Sequence, residues 1–352
     1  MTDTPLLQVE TLRTQFGRRD PLVAVDGISY DLRAGETLGI VGESGAGKSV
    51  SVRSLVGLID DGEVTGSVEW RGEELVGAPT RELRAVRGSG IATVFQNAEA
   101  AFDPIETVGR QIVEAVRASR GLSKRAARAE AVDLLDEVGI GDPAGRFDDY
   151  PHEYSGGMAQ RAGIAMALAG EPDLLIADEP TTGLDVSVQA GIVDLFRDLV
   201  AERDMSLLLI SHDLGVVSQL CERIMVMYAG RIVERGSREQ LLGSPRHPYT
   251  GAFLRSVPDV DVRKELEPIE GAPPSLDDPP AGCRFHPRCP AAEAGLCDGE
   301  APPTVGFEDG GDPERHEATC HGYTDAHPDG DAFDRAAVEW IEPTDGTGRG
   351  ER

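Results

Sequence analysis

The chain has 352 residues, enough for one large domain with a small one or for two of moderate size. Sixty-two acidic residues against 34 basic give a formal net charge of -28, which argues strongly against the basic face that nucleic-acid binding needs. No run of 18 apolar residues occurs, and the opening MTDTPLLQVE has no charged segment leading into an apolar one. The expectation is a soluble, unexported protein that meets a membrane only through partners.

In chain order, ETLGIVG (36–42) predicts a short buried strand running into a glycine-rich turn, and SVSVRSLVGLI after it has the spacing of a helix. IATVFQ (91–96), DLLIAD (173–178) and SLLLIS (206–211) predict further short strands. Between Gln96 and Ser155 the strand pattern disappears, and SKRAARAEAVDLLDEVGI (123–140) predicts a helical insertion. QAGIVDLFRDLVAER (189–203) is helical again, and RIMVMYAGRIVERG (223–236) reads as a hairpin about a Tyr-Ala-Gly turn. Strands alternating with helices predict an α/β fold, a mostly parallel sheet covered on both faces. After about residue 245 proline and glycine become frequent, as in EGAPPSLDDPPAGC, marking a small loop-rich module. The last 25 or so residues are acidic and glycine-rich, the composition of a poorly ordered tail.

Gly42, Glu43, Ser44, Gly45, Ala46, Gly47, Lys48 and Ser49 fit G-x-x-x-x-G-K-[ST] between a predicted strand and helix. Glycines let successive N–H groups turn inward around phosphates, and the helix N-terminus adds partial positive charge. Lys48 can reach the β- and γ-phosphates, and the Ser49 hydroxyl can hold Mg²⁺. Lysine is otherwise scarce, with only Lys124 and Lys264 besides, so its presence here is informative. The same scarcity, with the acidic excess, suggests a salt-rich cytosol that screens like charges, or else an ordinary acidic protein from a GC-rich genome. LLIADEP ends a strand in Asp178, placed to hold Mg²⁺, and Glu179, placed to orient or deprotonate an attacking water.

YSGGMAQR (154–161) resembles the signature motif of ATP-binding cassette (ABC) proteins, with Ser155, Gly156 and Gly157 in place and Tyr154 and Met158 departing from the commonest form. Other motifs match in order over residues 8 to about 240: Gln96 in VFQN, Asp185 in TTGLD, and His212 in ISHD. The resemblance implies a P-loop ABC ATPase, a parallel core with a β subdomain and a helical subdomain at about 97–165. It implies two cassettes paired head to tail, each ATP held between one P-loop and the partner's Ser155 motif. It further implies that His212 contacts the γ-phosphate, that Gln96 helps hold Mg²⁺ and reports the γ-phosphate, and that Phe16 stacks on adenine.

A single cassette with this charge favours a transporter motor over a soluble ABC ATPase of DNA repair or translation. SPRHPYTGAFLRSVP (244–258) and EGAPPSLDDPPAGCRFHPRCP (270–290) resemble the tail of oligopeptide and dipeptide importer ATPases. This divides the chain into a cassette (1–243), a C-terminal module (244–325) and an acidic tail (326–352). The implied partners are two membrane permeases, a second ATPase subunit or another copy, and an extracellular substrate-binding protein, with the chain on the cytoplasmic face of the membrane. Dipeptide, longer peptide, nickel and sugar remain open as cargo.

Four of five cysteines fall as Cys283-x₅-Cys289-x₇-Cys297-x₂₂-Cys320, where apolar residues are too few for much core and a staple is expected. A reducing cytosol disfavours disulfides, which leaves four free thiols or a four-thiolate metal centre. Structural zinc favours C-x₂₋₄-C pairs, absent here, so the spacing leans towards a 4Fe–4S cluster, with zinc as the alternative. Dipeptide importer ATPases carry such a cluster, and the resemblance implies it here. His286 and His316 are expected on the surface, and Cys221 in the core.

Overall fold

The runs 37–41, 174–178 and 206–211 have every residue buried, which requires strands covered on both faces. The computed structural model describes residues 4–17, 19–256, 267–307 and 316–326, and places these runs side by side. In chain order the strands are β1 (Leu7–Phe16), β2 (Leu22–Leu32), β3 (Thr37–Val41), β4 (Gly62–Trp70), β5 (Glu73–Glu74), β6 (Ile91–Val94), β7 (Leu174–Asp178), β8 (Ser206–Ser211), β9 (Arg223–Tyr228), β10 (Arg231–Ser237), β11 (Thr304–Phe307) and β12 (His316–Thr319). The larger sheet runs β11-β12-β10-β9-β3-β8-β7-β6, parallel from β9 to β6 and antiparallel from β11 to β9. A second sheet, β2-β1-β4-β5, is antiparallel throughout.

Strand periodicity divides the core in two. Leu175, Ala177, Leu207 and Leu209 belong to one buried cluster with the helical residues Ile112, Val116, Leu134 and Ala165. Leu174, Ile176, Leu208 and Ile210 belong to a second cluster with Leu12, Val25, Leu32 and Val68 of the antiparallel sheet. The insertion after Gln96 is helical: Val108–Arg120, Lys124–Glu137 and Gly156–Leu168 pack together. Cys221 is fully buried among Gly39 and Val217.

Beyond β10 the chain returns to the sheet. β12 pairs with β10 (Glu234 opposite Ala318, Arg235 opposite Glu317), and β11 pairs outside it. This overturns the surface placement of His316, which is fully buried. Its ring sits over Glu234, and the Glu234 carboxylate meets His316 Nε2 at 2.7 Å while accepting the backbone N–H groups of Arg246 (2.7 Å) and His247 (2.8 Å). A carboxylate so deep in the protein needs that many partners. His286 is half-buried. The acidic tail expected at 326–352 lies, Ala326 apart, outside the described residues.

Candidate functional site

β3, β8 and β7 are adjacent parallel strands, so the residues leaving their C-terminal ends meet at one edge of the sheet. The P-loop leaves β3, His212 follows β8, and β7 ends in Asp178 with Glu179 next. Two glycines explain the loop's sequence. A Cβ on Gly42 would stand 2.1 Å from the Met227 carbonyl, and one on Gly47, at φ 100°, would stand 2.2 Å from the Ala24 carbonyl. Ser44 and Gly45 are exposed at the loop's tip.

Lys48 crosses beneath the loop, its Nζ donating to the carbonyls of Gly42 (2.8 Å) and Glu43 (3.1 Å) and lying 3.6 Å from Glu179 Oε1. Burial pushes its pKa down, against the pull of Glu179. The Ser49 hydroxyl donates to Asp178 Oδ1 at 2.8 Å; burial pushes the Asp178 carboxyl up, against the pull of that bond. The two groups expected to share Mg²⁺ thus already touch. Glu179 is buried at φ 52°, a left-handed conformation that costs a non-glycine residue about 1–3 kcal/mol and that clusters at functional sites. Its N–H bonds the Ile210 carbonyl (2.8 Å), Oε2 lies 2.5 Å from His212 Nδ1, and the Thr182 hydroxyl donates to it at 2.7 Å. His212 is half exposed, its ring at the solvent side of Glu179.

The remaining sequence-predicted residues lie apart from this cluster. Ser155 caps the helix Gly156–Leu168, its hydroxyl accepting the Met158 N–H, and it is exposed with Gly156. A Cβ on Gly157 would meet Val188 at 2.6 Å. The departures from the commonest signature are accommodated: the Tyr154 ring is buried with its hydroxyl donating to the Arg146 carbonyl (3.0 Å), and Met158 packs on the core. Asp185 caps the helix Val186–Arg203. Gln96 is exposed after β6 and, among the described residues, makes no hydrogen bond to Ser49 or Asp178. Phe16 ends β1 beside Ile59 and Gly62 and is half-buried. The fold therefore gathers Lys48, Ser49, Asp178, Glu179 and His212, and leaves Ser155 and Gly156 facing solvent with Gly157 half-buried against Val188.

The four clustered cysteines line one small cavity with Phe285, His247, His286 and His321. Burial pushes the Cys289 thiol up to about 12 and those of Cys283 and Cys320 up as well. Among the described residues, however, no group of three or more His, Cys, Asp or Glu side chains is arranged to hold a metal ion. The fold brings four thiols together without setting them at the spacing of a bound ion.

Three contributors were not anticipated. Thr182 holds Glu179, and Tyr249 and Arg288 hold Glu43 of the P-loop. Thr182 stands in the TTGLD stretch that drew attention for Asp185, whereas the other two approach from over 200 positions away in sequence.

A family model described as ABC transporter matches residues 25–182, and one described as Oligopeptide/dipeptide transporter, C-terminal region, matches residues 233–297. The Dipeptide transport ATP-binding protein DppD of Bacillus subtilis is 48% identical over 290 residues, covering 81% of this chain and 87% of its own. The chain belongs to the ABC transporter family. A second ABC relative, DppD of Escherichia coli, is 45% identical over 320 residues, 90% of this chain and 96% of its own. Among solved ABC structures, a dimeric bacterial cassette superposes with a TM-score of 0.60 at 25% identity, covering 66% of this chain and 98% of its own. The cassette cbiO1 of Clostridium perfringens, part of an ABC transporter complex, gives 0.58 at 25%, covering 68% and 91%. Like other ABC ATPase subunits this chain hydrolyses ATP. Among its described residues no helix is long and apolar enough to cross a membrane.

Proposed function

We propose that this chain is the motor subunit of an importer for di- and oligopeptides, working at the cytoplasmic face of the membrane against two permeases fed by an extracellular binding protein. The observation that carries the reading is the split site. The phosphate and base residues are gathered at one edge, while Ser155 and Gly156 face solvent at a helix N-terminus suited to an anion. A second cassette, another copy or a homologous subunit, would complete each site. The oligopeptide-type C-terminal region favours this over a soluble repair or translation ATPase.

In this reading Lys48 and the loop N–H groups bind the phosphates, and Ser49, Asp178 and Gln96 would hold Mg²⁺. The ion, when bound, draws charge from the phosphate oxygens. Glu179 accepts the proton of the attacking water while Thr182 fixes its carboxylate and His212 contacts the γ-phosphate; Asp185 shapes the interface and Phe16 stacks on adenine. The test is ATP hydrolysis by the chain assembled with its permeases. Peptide-loaded binding protein should raise the rate several-fold, and indifference to every peptide would remove the cargo assignment.

The four cysteines support a 4Fe–4S cluster, since four thiols and no carboxylate line one cavity. Cys283, Cys289, Cys297 and Cys320 would hold it, as a fold-stabilising group. Anaerobic protein should be brown with about four irons per chain, and Cys289→Ser should lose them. One zinc and no iron would make this a zinc staple. The acidic, lysine-poor composition supports work in a salt-rich cytosol, in which case hydrolysis should persist in molar KCl.

A further inference from the structure

The C-terminal module does more than hang beside the cassette. All three polar groups of Glu43, the second P-loop residue, are occupied. Its carbonyl accepts from Lys48 (3.1 Å), its N–H donates to the Tyr249 hydroxyl (2.9 Å), and its carboxylate receives Arg288 in a two-pronged pair, Nη1 to Oε2 at 2.7 Å and Nη2 to Oε1 at 3.1 Å. Two of those three partners come from beyond β10. The Arg288 side chain is almost entirely buried and is anchored behind by the carbonyl of Glu270 (2.9 Å) and the hydroxyl of Tyr228 (3.2 Å). Tyr249 is fully buried, wedged against Tyr228 (ring centres 4.5 Å apart) and Phe285 (5.4 Å). A planar, fully occupied guanidinium on a rigid aromatic bed fixes its carboxylate partner closely, and a lysine could not reproduce the fork.

A second arginine reaches the P-loop indirectly. Arg284 pairs with Asp26 (2.5 Å) and donates to the Ala229 carbonyl, and the next residue, Gly230, donates its N–H to the P-loop carbonyl of Ala46 (2.8 Å). Arg284 follows Cys283 and Arg288 precedes Cys289, so the turn spanning those two cysteines carries both arginines.

We propose that Arg288 is a positioning residue for the P-loop, through which the C-terminal module sets how tightly the cassette binds nucleotide. Glu43 lies between the end of β3 and the phosphate-binding amides, and its carbonyl is one of two anchoring the Lys48 ammonium. Releasing its side chain lets both the loop and Lys48 relax before the phosphates arrive. The effect belongs to binding rather than to chemistry, because Asp178, Glu179 and His212 keep their own supports on β7 and β8.

The inference rests on the ATPase reading and is tested on the full-length chain by equilibrium binding of a fluorescent ADP and by the KM and kcat of Mg-ATP hydrolysis. Arg288→Met and Glu43→Gln should each weaken ADP binding and raise KM by about tenfold, with kcat within about threefold of wild type. The double variant should be no worse than the poorer single one, since both remove the same contact. Arg288→Lys should fall between. If Arg288 merely staples the module, Arg288→Met would lower the melting temperature while ADP affinity stayed within twofold; that result, or losses of ADP affinity that add in the double variant, overturns the proposal. Glu43→Gln, made on the cassette side, keeps the question answerable if Arg288→Met fails to fold. A wild-type chain that bound no ADP would overturn the ATPase reading as well, whereas normal wild-type binding unchanged in both variants overturns this inference alone.

Discussion

Glu179→Gln isolates one charge at the centre of the site. The substitution preserves shape and hydrogen bonding, so the Thr182 and His212 contacts at 2.7 and 2.5 Å can persist while proton acceptance is lost. Removing a positioned general base slows a reaction by about 10²–10⁴-fold, or about 3–5 kcal/mol of barrier. The structure adds a second, opposite consequence for binding. Glu179 Oε1 lies 3.6 Å from Lys48 Nζ, and both side chains are over nine-tenths buried. At an effective dielectric near 20 that attraction is about 5 kcal/mol, most of it offset by the cost of burying the two charges. Neutralising Glu179 leaves the Lys48 ammonium buried without its charge partner in the free protein, so incoming phosphates become its main counter-charge. Nucleotide binding should tighten, by about tenfold if 1.4 kcal/mol of the pair's attraction is recovered. Single-turnover phosphate release measures the first effect and fluorescent-ATP binding the second. Turnover within tenfold of wild type would refute the base assignment, and weakened ATP binding would refute the electrostatic reasoning about Lys48.

Three further outcomes are expected. Specific ATPase activity of the isolated chain should rise with protein concentration and then saturate, because in the proposed split site Ser155 serves the partner's P-loop; constant activity per chain across a hundredfold dilution contradicts the split site. Gly47→Ala should weaken fluorescent-nucleotide binding at least tenfold and lower the melting temperature, since its Cβ would stand 2.2 Å from a backbone oxygen at φ 100°; unchanged affinity would show the loop to be more pliant than its geometry implies. Burial pushes the Asp26 carboxyl up, but the hydrogen bond from Arg231 and the charges of Arg284, Arg231 and Arg13 outweigh it and hold the pKa below the ordinary 3.8. The unfolded chain therefore takes up that proton first as pH falls, and Asp26's contribution, complete above about pH 4, fades as pH drops through its lower folded value. Urea unfolding should show Asp26→Asn about 3 kcal/mol less stable at pH 7, with the gap narrowing below pH 4. A gap that widened there would reverse the sign.

The nucleotide site was legible because its constraints are local. Gly42 to Ser49 and Asp178–Glu179 are contiguous, and each ends a strand whose unbroken apolar run marks it as buried on both faces. The antiparallel sheet was less so. β2 and β4 carry Gly27 and Gly66 within runs where burial alternates with exposure, and their strand character entered only through the family resemblance. What joins the tail to the cassette was not readable at all. β12 is four residues, HEAT, with no apolar alternation, and its partner Glu234 sits in a polar-looking VERGS. Cysteine spacing singled out the four thiols that share a cavity, yet could not say how far apart their sulfurs would stand. His316 shows the limit most plainly, because only pairing across 82 positions turns a surface-type residue into a fully buried one.

That pairing has a consequence for how the protein is made. At about 5–20 residues per second, a ribosome that has polymerised Glu234 needs about 4–16 seconds to add the 82 residues that bring His316. Throughout that interval the nascent cassette already holds its P-loop, Glu179 and the helix that Ser155 caps, yet β10 has an open edge and Glu234 lacks the ring that will cover it. Open edges invite pairing with neighbouring chains, so on the polysome β10 is exposed to such pairing. A stall or premature release between residues 237 and 316 would yield a chain with Lys48, Asp178, Glu179 and His212 all present and an unfinished sheet.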